Sequence, residues 1–162
     1  MLSKLVKIVP NKWLVFMYKR FPSMRLKNWM VYKAQHKFLV AVLGVITNES
    51  GQIMLLHHVY RDEPWGIPGG WMELEKPELG LKREIYEETG LKVRLSGVAR
   101  AVFGVAPNRV ELIFSGQVIE GEFKPSAEIS NICFVNAGEW PEGLPESQRK
   151  LLEDILMNTK NI

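Results

Sequence analysis

Residues 68–91 read PGGWMELEKPELGLKREIYEETGL, and the fold is decided by how this stretch is read. Glu84, Glu87 and Glu88 stand at i, i+3 and i+4. At about 100° per residue those positions share one face of a helix. Like charges so spaced cost an isolated helix about 0.2–0.5 kcal/mol per pair, so something positive must offset them. A hard divalent cation such as Mg²⁺ takes oxygen ligands, commonly one or two carboxylates with substrate phosphates. Arg83 precedes the cluster and lies four residues before Glu87, where it can orient that carboxylate. Pro68-Gly69-Gly70 predicts a sharp turn in which backbone comes close to a ligand or metal. Gly90 predicts the end of the helix. Gly80 falls inside it, at a cost of about 0.5–1 kcal/mol against alanine. Close packing of the helix on a sheet would account for that glycine. A solvated acidic helix is the bland alternative, and the turn, the arginine and the full spacing together argue against it.

Upstream, FLVAVLGVIT (38–47) is a nearly unbroken apolar run and predicts a buried strand. Asn48 to Gly51 predicts a turn, and QIMLLHH (52–58) a second strand. Alternation turns one of His57 and His58 inward and the other outward, in a substrate or structural role, since hard Mg²⁺ does not favour imidazole. Arg61 carries the planar fork that matches phosphate oxygens, or is a solvated loop arginine. Downstream, strands are predicted over 92–103, kinked near Gly97, then over 110–119 and 129–135. Residues 146–158 predict an amphipathic helix with Leu151, Leu152, Ile155 and Leu156 inward. Cys133, in an apolar strand, reads as a buried inert thiol.

The chain of 162 residues, 46% hydrophobic and 24% charged, has the balance of one globular domain. A single cysteine excludes an internal disulfide framework and suits a reducing, cytoplasmic setting. No apolar run reaches the roughly 18 residues of a membrane-spanning helix, and no small-residue cleavage site follows the basic start. Residues 1–37 hold nine Lys or Arg and no acid, leaving 21 − 9 = 12 basic and 18 acidic residues for 38–162. This basic N-terminal extension predicts amphipathic helices over 2–9 and from Asn11, then an aromatic, basic stretch to Lys37. Its apolar face packs on the domain or makes a homodimer; alternatively its Lys, Arg and rings meet nucleic acid or an anionic membrane surface.

The stretch resembles the Nudix (MutT-like) box: G, five residues, E, seven residues, R-E, an aliphatic, any residue, E-E, any residue, G, an aliphatic. Gly69, Glu75, Arg83, Glu84, Ile85, Glu87, Glu88, Gly90 and Leu91 fill every specified position. Leu74 departs from it, standing where members usually have glycine. The lead-in LLHHVYRDEPWGIPGG also fits, with Trp65 three residues before the Pro-Gly-Gly. The resemblance implies an α/β/α sandwich with a mixed β-sheet over 38–162, and a hydrolase using Mg²⁺, or Mn²⁺ in its place. It would split a phosphoanhydride in a nucleoside diphosphate linked to another moiety, ADP-ribose or a nucleoside triphosphate among the candidates. Glu84, Glu87 and Glu88 would bind metal, with the Gly69 carbonyl and Glu128, before a late strand, as further ligands. Glu84 or Glu75 would deprotonate water and Arg83 would orient the carboxylates. Pro107 stands near where ADP-ribose-cleaving members carry a proline. Trp65, Trp71, Phe103 and Phe114 are the rings available to stack on a base, or they line the core. The competing function is a nucleotide-recognising module tethered by its basic arm to RNA or an anionic membrane.

Overall fold

Strand β1, Leu39–Thr47, is apolar on both faces because both faces are covered. Val42 and Ile46 pack in one cluster with Leu81 and Ile85. Val45, of opposite parity, packs in another with Leu152 and Ile155. The computed structural model describes residues 23–159 and the isolated positions 12, 16, 19 and 20. The helices expected over 2–9 and from Asn11 thus lie outside the described residues, those four positions excepted. The chain divides into two units, 1–37 and 38–162. In the first, helix α1 spans Met24–Ala34, and Lys37 sets its ammonium 4.0 Å from the centre of the Tyr32 ring.

The second unit holds one seven-stranded sheet. β2 (Ile53–His58), β3 (Trp65–Gly66) and β4 (Gly69–Trp71) follow β1. Helix α2 (Pro77–Thr89) leads to β5 (Lys92–Gly104), β6 (Arg109–Glu120) and β7 (Ile129–Val135). Helix α3 (Glu146–Thr159) ends the described chain. β1 runs parallel to β6, and every other pairing is antiparallel, so the sheet is mixed. Residue parity assigns the layers. Met54, Leu56 and Phe114 join the α2 cluster, while Ile53, Leu55 and Ile113 join the α3 cluster. The expected helix-sheet-helix layering follows from that alternation. Leu151 and Leu156 pack against the α3 cluster as their spacing predicts. Among the described residues no helix is long and apolar enough to cross a membrane.

Two features differ from the sequence expectation. Pro68-Gly69-Gly70 is more than a turn: Gly69, Gly70 and Trp71 pair with Leu43, Val42 and Ala41 of β1. Glycine has low strand propensity, but the ladder needs only backbone groups. This pairing has room because β1 and β2 register only at Thr47–Ile53, and then diverge. β4 takes the freed edge of β1, while β2 turns to β3 and β7. Gly80 is the second. A methyl group there would meet the Glu75 side chain, with Oε1 at 3.1 Å, so the glycine makes room for that carboxylate rather than for the sheet.

Candidate active site

Helix α2 is anchored by its apolar stripe. Gly80, Leu81, Ile85 and Thr89 are buried, and Gly90 closes the helix in the left-handed conformation at φ 74°. The Thr89 hydroxyl donates to the Ile85 carbonyl at 2.5 Å and accepts from the Leu91 amide at 3.1 Å. Glu84 and Glu88 border that stripe, Glu88 nearly in line with Leu81 seven residues before it, while Arg83 and Glu87 lie further round toward solvent.

Arg83 is the hub. Its guanidinium donates from Nε and Nη2 to Glu75 Oε1 at 3.1 and 2.8 Å. Nη1 reaches Glu84 at 2.8 Å and Glu87 at 3.1 Å. One arginine thus holds three carboxylates, and those bonds raise its pKa further, the Glu75 bond most. Glu84 lies against Gly70, where a methyl group would come 2.5 Å from Oε2. Gly69 cannot carry a side chain either: at φ 138° its Cβ would collide with the Val42 carbonyl. The two glycines let β4 pass between β1 and the acidic face of α2.

Glu88 is outside the Arg83 network. It accepts a long bond, 3.4 Å, from the Gly69 amide. Burial pushes its carboxyl up to about 7; the Gly69 bond opposes this, the Glu84 and Glu128 charges add to it, and Arg61 pulls it back. Burial also raises Glu84, against the pull of Arg83. The field at Glu88 therefore brings Glu84, Glu128 and Arg61 into one neighbourhood with the box.

Among the described residues no three carboxylate, imidazole or thiol groups form a ready-made metal cage. Arg83 explains this, because it draws Glu84 and Glu87 to itself. The donor set is nonetheless all oxygen, with two carboxylates raised by burial. It suits a hard divalent ion, which would replace the protons those groups otherwise gain.

The remaining predicted positions separate. Trp65 is half-buried, its ring edge-on to His57 at 4.9 Å, and packs against the α3 cluster. Phe114 is buried in the α2 cluster, and Trp71 is half exposed. Phe103 is exposed and pairs with Val110, out of phase with Arg100, Val102 and Gly104. Those three line a cleft of about 400 Å³ between the sheet and α3, together with Leu43, Arg109, Glu111, Gln148, Lys150 and Asp154. Leu43 pairs with Gly69, so the cleft adjoins the box. Two of its three cations are paired within it: Arg109 bonds Glu111 at 2.5 Å and Arg100 bonds Asp154 at 2.9 Å. No local signal points to this cleft, whose walls come from segments over 100 residues apart in sequence, as Leu43 and Lys150 show.

The inward histidine is His58, at 1% exposure, and its two ring nitrogens have no hydrogen-bond partner. Burial, then the nearby Arg61 and His57, push its pKa down to about 4, so it is neutral.

Comparison with known proteins gives a concordant picture. The sequence profile of the NUDIX domain matches residues 37–155. A MutT-like protein of Streptomyces ambofaciens is 30% identical over 118 residues, 72% of this chain and 76% of that one. The MutT protein of Methanosarcina mazei Go1 superposes with TM-score 0.67 at 24% identity, over 78% of this chain and 98% of that one. An ADP-ribose pyrophosphatase from Streptococcus suis 89-1591 gives 0.64 at 20% identity, over 76% and 92%.

Proposed function

The chain belongs to the Nudix hydrolase family and is a MutT-like pyrophosphohydrolase, and from that premise we propose that it cleaves a nucleoside diphosphate linked to a second, hydroxyl-bearing moiety, such as ADP-ribose. One observation carries the site: Arg83 holds Glu75, Glu84 and Glu87 beside Glu88, against the two glycines of β4.

Glu84, Glu87 and Glu88 would hold Mg²⁺ or Mn²⁺, with the Gly69 carbonyl and Glu128 as further ligands. The ion, when bound, neutralises phosphate charge and lowers the pKa of an attacking water. Arg83 orients the carboxylates throughout. Glu84 is the general base: burial raises it toward the pH at which proton transfer is efficient, an effect typically worth about 10²–10⁴-fold. Glu75 instead uses one oxygen for two Arg83 bonds, which makes it a positioning residue. Water adds to one phosphorus, its proton passes to Glu84, and the bridging P–O bond breaks to leave two phosphate monoesters.

Arg61, close enough to influence Glu88, would meet substrate phosphate. The second moiety would enter the cleft under α3. Its lining mixes cations and carboxylates and has no aromatic ring, which suits a ribose phosphate better than a base. The name of the Streptococcus suis neighbour agrees with the choice of ADP-ribose, and Pro107 supports it.

The test is a panel of nucleoside diphosphate derivatives and nucleoside triphosphates with Mg²⁺, with products separated and quantified. AMP and ribose 5-phosphate from ADP-ribose, lost in Glu87→Gln, are expected. A folded, Mg²⁺-binding protein that cleaves only nucleoside triphosphates would overturn the substrate assignment.

A further inference from the structure

Trp71 follows the two glycines of β4 and is 50% exposed. Register fixes which way it faces. Residues directly opposite in a ladder put their side chains on the same face of the sheet. Trp71 pairs with Ala41 of β1, Ala41 with Glu111 of β6, and Glu111 with Val102 of β5. Glu111 and Val102 line the cleft under α3. Trp71 therefore stands in one row with two residues of the cleft wall, across the small Ala41. Two strand spacings, about 10 Å, separate its backbone from that of Glu111. Its neighbours on β4 agree. A methyl group on Gly70 would meet Glu84 of α2, and Met72 packs against the α2 cluster, so the residue between them faces the other way.

From this alignment we propose that the nucleobase of the substrate stacks on Trp71, which makes it a specificity-determining residue. The nucleotide nature of the ligand rests on the hydrolase reading above. The cleft has no aromatic lining, so a base needs a ring elsewhere. Four rings stand out in the sequence. Phe114 is buried, and Trp65 packs in the α3 cluster. Phe103, one residue out of step with Val102, lies on the far face of β5. Of the four, Trp71 alone joins exposure to the face of the cleft. It also stands at a suitable reach from the reacting bond. Gly69, whose carbonyl is a proposed metal ligand, lies two residues before it, about 7 Å along the strand. One nucleoside monophosphate spans that gap, with its phosphate at the carboxylates of α2 and its base on the indole. The second moiety then turns into the cleft. Every base has a π face, so the ring holds the nucleoside half of the substrate without choosing sharply among bases. Bare sugar phosphates gain nothing from it.

The probes are AMP and ribose 5-phosphate, titrated calorimetrically into the full chain with Mg²⁺. The variants are Trp71→Ala and Trp71→Phe. Stacking on an aromatic side chain is worth roughly 5–150-fold in affinity per base. AMP should bind Trp71→Ala at least about fivefold more weakly than the parent, and Trp71→Phe within about twofold of it. Ribose 5-phosphate should bind all three alike. With the nucleoside diphosphate derivative that the parent cleaves best, KM should rise in Trp71→Ala by the same factor as the AMP dissociation constant, and kcat should stay near that of the parent. A ring that merely covered Ala41 would lower the melting temperature and leave the contrast between AMP and ribose 5-phosphate unchanged. Trp71→Leu, which keeps apolar bulk without a π face, repeats the test if Trp71→Ala does not fold. Equal AMP affinity in the parent and in these variants overturns the proposal. So does a parent that binds AMP no better than ribose 5-phosphate. Cleavage is read separately: a protein that cleaves ADP-ribose with Trp71→Ala unchanged in AMP binding refutes the stacking site and not the hydrolase, while Trp71-dependent AMP binding without ADP-ribose cleavage refutes the substrate and not the stacking site.

Discussion

Removing a negative charge from Glu88 should stabilise the metal-free protein. Burial lifts this carboxyl from the ordinary 4.5 to about 7. A raised carboxyl contributes its stability fully below the unfolded value and loses it as pH rises through the folded one. At pH 8 the native state thus holds a charge it disfavours. At about 1.4 kcal/mol per pKa unit the cost is somewhat over 3 kcal/mol, and discounting for solvent at this partly exposed side chain brings it to about 2 kcal/mol. Glu88→Gln keeps an oxygen for the Gly69 amide and loses the charge. In EDTA at pH 8 its melting temperature should exceed that of the parent by about 4–8 °C, and at pH 4.5 the two should coincide. Mg²⁺ at a hundredfold excess over its dissociation constant adds about 2.7 kcal/mol to the parent and little to the variant, so the order reverses. Differential scanning fluorimetry across pH 4.5–8, with and without Mg²⁺, reads both effects. A variant that melts at or below the parent in EDTA at pH 8 would refute the reasoning.

Four other outcomes follow from the same geometry. Arg83→Ala frees three carboxylates at once; it should lower turnover by at least about 10²-fold while costing only about 1–2 kcal/mol in a urea melt. Gly80→Ala should forgo the roughly 1 kcal/mol that alanine usually adds to a helix, because its methyl presses on Glu75, and turnover should fall with it. Gly69→Ala combines a left-handed φ with a backbone collision and should cost about 3 kcal/mol or more, seen as loss of soluble protein or a lowered melting point. In contrast, Leu74→Gly, at a fully exposed position, should leave both melting temperature and turnover near those of the parent.

Much of this was legible in the chain. β1 shows as an apolar run because it is covered on two faces, and α2 shows because Leu81 and Ile85 recur at helical spacing, with Glu84 and Glu88 bordering them. The Glu87–Arg83 contact follows from their i, i+4 spacing alone. β4 was not legible, because its ladder to β1 uses backbone atoms that no side-chain pattern reports. β3, with two residues, is too short to show a period. The reason for Gly80 lay in Glu75, outside the helix, and the alignment of Trp71 with Glu111 needs a fold that joins residues 111 − 71 = 40 positions apart. Trp65, Trp71, Phe103 and Phe114 look alike in sequence, yet the fold scatters them among both clusters and solvent.

The parallel pairing of β1 with β6 has a consequence for biosynthesis. Leu39 meets Arg109 and Thr47 meets Gln117, so the centre of the sheet joins segments made 70 residues apart. Helix α2 is complete at residue 89, yet the strand that flanks β1 ends only at residue 120. At about 5–20 residues per second, translation leaves Leu81 and Ile85 without their full cover for roughly two to six seconds. During that interval Glu84, Glu87 and Glu88 of the nascent helix stand uncovered, and their like charge keeps neighbouring nascent chains apart.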